Sequence, residues 1–129
     1  MPGIDECLLE AMRLPGARGA ALVDWTSGLA LGQVGEFPGG DPEAAATEAA
    51  EVARLAAEQR TFTPADGTEA DPPVEDLIIS NHDSFHLLRF LRTSFDSSVF
   101  LHVWLGRADG NLALARIRLD EMAGRLVLG

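Results

Sequence analysis

Residues 77–91 read LIISNHDSFHLLRFL, two apolar runs flanking Asn81, His82, Asp83 and Ser84. Whether that polar cluster is a reactive site or the turn of a hairpin decides the fold around it. Both flanking runs have strand length and strand composition. Asn, Asp and Ser are turn formers because their side chains bond nearby backbone groups. Two histidines four apart, His82 and His86, share a metal readily on a helix, where they lie one turn apart. On extended chain the same spacing separates them by ~13 Å. A Ser-His-Asp triad would need a base held by a buried carboxylate and an oxyanion hole. The Gly-x-Ser-x-Gly elbow of one class of serine nucleophile is also missing. The cluster reads first as a hairpin turn, second as a ligand or partner contact, and last as a catalytic site, with the spacing against a shared metal.

Downstream, SVFLHVWLG (98–106) is a further strand, and His102 inside it is expected in the core or an interface with a hydrogen-bond partner. None of 74–80, 85–92 and 98–106 alternates cleanly between apolar and polar, which predicts a sheet covered on both faces. RADGN (107–111) lacks the oxygen ligands of a calcium loop and reads as a lead-in to a helix, with Asp109 or Asn111 as cap. That helix places Leu112, Ala115, Leu119, Met122 and Leu126 at helical spacing.

Upstream, TFTPADGTEADPP (61–73) is a loop long enough to expect mobility. Before it lies the clearest helix, within EFPGGDPEAAATEAAEVARLAAEQR (36–60). Asp41 suits the N-cap, Pro42 the first helical position, and Glu43 the dipole. Ala45, Ala49, Val52 and Ala56 share one face, with Ala46, Ala50, Ala53 and Ala57 beside them. Alanine favours the helix and permits close approach, but buries little area. Such a face suits packing on a sheet or on its own copy. The glycines of GEFPGGDPE are followed by no Lys-Ser/Thr, so they form no phosphate-binding loop.

Nearer the start, RGAALVDWTSGLALGQV (18–34) reads as two strands joined by a turn around Asp24–Gly28, with Gly28 free to take positive φ. Gly19, Ala20 and Ala21 predict a helix packed closely over the first strand. GIDECLLEAMRLPG (3–16) opens the chain as a short helix, with Ile4, Cys7, Leu8 and Ala11 on its apolar stripe and Pro15-Gly16 as its end. Cys7 is read as packing.

The totals set outer bounds. A chain of 129 residues with 47% hydrophobic content fits one globular domain, 1–129. One cysteine and no export signal fit a cytoplasmic protein, and no apolar run reaches membrane-spanning length. Of the net charge of −10, residues 36–83 carry twelve acids against two arginines, which opposes nucleic-acid binding. Lysine is absent.

The order α-β-β-α-β-β-β-α resembles the Roadblock/dynein light chain domain. GARGAALVDWTSGLALG is similar to its first hairpin, EDLIISNHDSFHLLRFL to its third and fourth strands, and VFLHVWLGRADGNLALARIRL to its last strand and final helix. The likeness spans about residues 4–127, and the loop at 61–73 departs from a compact member. It implies an α/β (α+β) profilin-like fold: a five-stranded antiparallel sheet with one helix on one face and two on the other. It also implies a homodimer in which the second helix, 42–60, lies beside its symmetry mate and the third strands pair.

The interface would then comprise Ala45, Ala46, Ala49, Ala50, Val52, Ala53, Ala56 and Ala57 of that helix, with Leu77 and Ile79 of the third strand. Bacterial relatives act beside small Ras-like GTPases, and in actinomycetes also beside a sensor-kinase-like protein. The resemblance therefore implies a non-catalytic regulatory or scaffold protein, with Glu48, Glu51, Glu58, Arg89 and Arg92 as candidate partner contacts. The alternative is a small-molecule sensor, its cavity left by Gly19, Ala20 and Ala21. An enzyme resting on His82 and His86 is the third reading.

Overall fold

The computed structural model describes residues 3–67, 73–91 and 98–125. Helix α1 (Ile4–Ala11) leads into strands β1 (Ala17–Asp24) and β2 (Leu29–Gly35). Helix α2 (Pro42–Glu58) follows, then β3 (Asp76–Ser80), β4 (Ser84–Phe90), β5 (Val99–Gly106) and α3 (Leu112–Arg125). The strands form one antiparallel sheet in the order β2-β1-β5-β4-β3. The element order and the sheet are those expected from the sequence.

Side chains alternate between two cores, one on each face of the sheet. On one face α1 and α3 bury Leu8, Ala11, Leu119 and Met122 against Leu22, Leu87, Leu101 and Leu105. On the other, α2 lays Ala46, Ala50 and Ala53 over Val23, Leu88, Phe90 and Phe100. The small helix face brings the helix low onto the sheet, and the large side chains that fill this core come from the strands and from Phe37.

Local chemistry fixes the ends of the elements. Asp41 caps α2, its Oδ1 accepting from the N–H groups of Glu43 and Ala44 at 3.1 and 3.2 Å. Asn111 Oδ1 does the same for α3, accepting from Leu114 N–H at 3.0 Å. In the β1–β2 turn Asp24 Oδ1 accepts from Thr26 N–H, the Thr26 hydroxyl and the Ser98 hydroxyl. Partial burial works against that carboxylate's charge, but these bonds outweigh it and hold the pKa below the usual value. Gly28 closes the turn at φ +78°.

Several expectations need correction. Helix α1 stops at Ala11, before Pro15-Gly16, with the Met12 N–H bonded back to Leu8. Helix α2 ends at Glu58; Gln59 is extended and Arg60–Phe62 forms a separate 3-10 turn. Gly19 is small because of the Glu36 carbonyl and not because of a helix, since a Cβ there would strike that backbone oxygen. Ala20 is buried in one core and Ala21 in the other. The sheet is covered on both faces at β1 and β5, whereas at β3 Ile79 stays 41% exposed. The loop expectation at 61–73 falls partly outside the described residues, as do Leu126 and Arg92.

Gly19→Ala is expected to lower stability by more than about 2 kcal/mol, because the obstructing atom is backbone and cannot swing aside. Asp41→Ala should cost about 1 kcal/mol, the usual value of an N-cap. Urea unfolding of the two variants ranks these costs, and equal midpoints would contradict the assignment.

Candidate functional site

The quoted stretch forms a hairpin turn closed by the Asn81 side chain. Asn81 Oδ1 accepts from Asp83 N–H (3.0 Å), Ser84 N–H (2.8 Å) and the Ser84 hydroxyl (3.0 Å). Arg107 donates to the Asn81 carbonyl at 2.8 Å and ties the turn to the end of β5. His82 is exposed on this turn, while His86 enters β4 and faces another way.

The site that does form lies under α2. This helix packs chiefly on β1 and β2, so a groove of about 280 Å³ opens beside it over β5, β4 and β3. Ala45, Glu48, Ala49 and Val52 form its wall, and Ile79, His86, Leu88 and His102 its floor. Its lining is mainly apolar, and Val52 and Ile79 are both exposed in it.

A row of aromatic side chains runs across this face of the sheet. The Arg18 guanidinium sits 5.0 Å from the Trp104 ring centroid, and Trp104 stacks on His86 at 6.1 Å and 14°. His86 Nδ1 and His102 Nε2 are hydrogen-bonded at 2.8 Å, and His102 lies 5.3 Å from Phe37. The strand register explains the pair. His86 is opposite Trp104 and Leu88 opposite His102, so the two imidazoles are diagonal neighbours on one face.

His102 is 4% exposed, and burial pushes its pKa down to about 3, reinforced by repulsion from His86. The His86 pKa is also lowered by burial, with Asp83 working in the opposite direction. Both rings are therefore neutral near pH 7. Among the described residues His102 Nδ1 and Trp104 Nε1 have no hydrogen-bond partner. No three His, Cys, Asp or Glu side chains among them gather as a metal ion would require.

The interface residues expected from sequence fall into separate sets. Ala45, Ala49, Val52 and Ile79 come together in the groove. Ala46, Ala50 and Ala53 are turned down onto the chain's own sheet and present nothing to a second subunit. Ala56 is half-buried, and Ala57 and Leu77 are half-buried at the margin of that core. The expected partner contacts are split as well. Glu48 lines the groove, Glu51 pairs with Arg54 at 2.7 Å, and Glu58 is exposed at the end of α2. Arg89 points to the opposite face and pairs with Asp120 of α3 at 2.8 Å and Glu75 at 3.8 Å. These acids and Arg89 cannot form one contact surface.

The His86–His102 pair and the Arg18–Trp104 contact were not foreseen, since both depend on the register of non-adjacent segments. The signal was present: His86 and His102 have the same parity as the buried Leu88 and Phe100.

Neither family models nor curated proteins give a match to this sequence. Solved structures do, and they define the fold as that of Roadblock/LC7 domains. A Roadblock/LC7 domain from Streptomyces avermitilis superposes with TM-score 0.71 at 17% identity, over 95% of this chain and 93% of that one. MglB of Myxococcus xanthus gives 0.68 at 16%, over 94% and 85%. An MglB with a tetrameric arrangement gives 0.70 at 18%, over 93% and 82%.

Unfolded imidazoles titrate near ~6.5. A folded-state pKa depressed to about 3 means the unfolded chain takes up its proton first as pH falls. Stability from a neutral His102 is thus complete above ~6.5 and is lost progressively as pH falls toward about 3. Between pH 7.5 and 5, His102→Leu should lose about 2 kcal/mol less unfolding free energy than the native chain. Equal losses in urea titrations would show that His102 is not held neutral.

Proposed function

We propose that this chain is a homodimeric regulatory or scaffold protein for a small Ras-like GTPase and performs no chemistry of its own. The groove carries this reading. It sets an apolar half-helix face, Ala45, Ala49 and Val52, beside Ile79 of the edge strand β3. A second copy related by a two-fold axis would offer the same two features, cover the groove with its own α2, and close the β3 edge. The likeness to MglB, one example of which is tetrameric, favours self-association.

The GTPase follows from the Roadblock resemblance and from the acids Glu48, Glu51 and Glu58 on α2, which suit a basic partner surface. A sensor-kinase-like companion rests on the resemblance alone. No helix among the described residues is long and apolar enough to cross a membrane, and with the one free cysteine this suits a cytoplasmic setting.

Light scattering at micromolar concentration should give twice the 13.8 kDa chain mass. Ile79→Asp should return it to a folded monomer, because it sets two like charges near the symmetry axis. A small GTPase should be captured from native lysate by the unaltered protein and lost on replacing Glu51 and Glu58, which lie outside the groove, by arginine. A monomeric native protein would refute the dimer, and capture that ignores the charge reversal would refute the acidic contact.

A further inference from the structure

The floor of the α2 groove holds a titratable group that the fold leaves partly in water. His86 of β4 is half-buried, opposite Trp104 of β5 on one side and Ile79 of β3 on the other. Its Nδ1 is hydrogen-bonded to Nε2 of the buried His102 at 2.8 Å. Its Nε2 has no protein partner among the described residues and is not one of their buried orphan atoms, so water reaches it. Ile79, which is opposite His86, shares the groove with it.

The charges around this ring decide how it responds to a proton. Asp83 in the turn favours the charged form, and Glu48 of α2 stands in the groove wall. Arg18 of β1 lies 5.0 Å from the Trp104 ring on which His86 stacks. Ile79 and Pro38 add no charge to the lining. Burial is the largest influence and lowers the pKa of His86. The hydrogen bond to His102 acts in the same sense. A charged His86 donates through Nδ1, which makes His102 Nε2 the acceptor and puts the His102 proton on Nδ1, a buried nitrogen without a partner.

We infer that His86 gates self-association: two copies join across the groove while this ring is neutral and separate when it takes up a proton. This rests on the homodimer proposed above. The incoming α2 brings the apolar stripe of Ala45, Ala49 and Val52, which would exclude water from His86 Nε2 and replace it with nothing able to solvate a charge. The ring's pKa is therefore lower in the pair than in the separated chain, and as pH falls the separated chain takes up its proton first. Association is complete above ~6.5 and weakens as pH falls below it. General electrostatics predicts the reverse, since two chains of net charge −10 repel less as their carboxylates are neutralised. Weakening in mild acid thus identifies a group that becomes positive.

Sedimentation equilibrium of the whole protein at pH 7.5 and 5.5 reads the gate. The native Kd is expected to rise by about tenfold or more, one proton being taken up by each copy. His86→Asn keeps a neutral partner for His102 Nε2, and its Kd should stay within about twofold or tighten in acid. Equal weakening of both proteins would assign the effect to other groups and overturn the inference. A native Kd that is constant or tightens would overturn it too, the second result placing the incoming Glu48 over His86. A native protein already monomeric at pH 7.5 would remove the homodimer itself, and the gate with it. If the variant does not fold, the native protein labelled at histidine Cε1 decides by NMR. The His86 pKa should rise on dilution from above to below the Kd, and a pKa independent of concentration would overturn the inference.

Discussion

One helix cannot cover one face of a five-stranded sheet. Strands lie ~4.8 Å apart and a helix with its side chains is about 10 Å across, so each helix covers roughly two strands. Helices α1 and α3 together cover their face, while α2 is alone on the other. Its alanines make the shortfall sharper. Ala46, Ala50 and Ala53 seat the helix low on the sheet, and it packs chiefly on β1 and β2, away from β3. The groove and the exposed Ile79 follow from that shortfall.

The floor of the groove adds a chemical condition. A pair of imidazoles is a poor choice for burial unless both stay neutral, because an uncompensated buried charge is costly. Each histidine here satisfies one ring nitrogen of the other, and the stack from Arg18 through Trp104 holds His86 in place. In the neutral state the floor offers an apolar covering element little electrostatic opposition. Glu48 is the charged side chain of the wall and stands on α2, where it can stay at the rim of whatever covers the groove.

Much of the architecture was legible because its signals are local. Asp41-Pro42 announces α2, Gly28 the first turn, and the Asn81–Ser84 run a hairpin whose turn is closed by the Asn81 side chain within four residues. The Roadblock resemblance supplied the layering. What stayed hidden depends on register and on direction around a helix. Periodicity marked two adjacent alanine faces without saying which one meets the sheet, and the structure turns the Ala46 face down and the Ala45 face outward. Arg89 read as an available cation because its partner Asp120 is thirty-one residues away in sequence, on α3. His86 and His102 meet only when β4 and β5 are paired, and Gly19 is explained by a carbonyl on the far side of the first hairpin.

The central claim is that the uncovered half of the α2 face receives the α2 of a second copy. The most direct measurement is isotope-filtered NOE spectroscopy on an equimolar mixture of labelled and unlabelled chains. Intermolecular cross-peaks from the Val52 and Ile79 methyl groups to α2 and β3 of the other copy are the expected result. Cross-peaks confined to other surfaces, or none at a concentration where the native mass is dimeric, would contradict it.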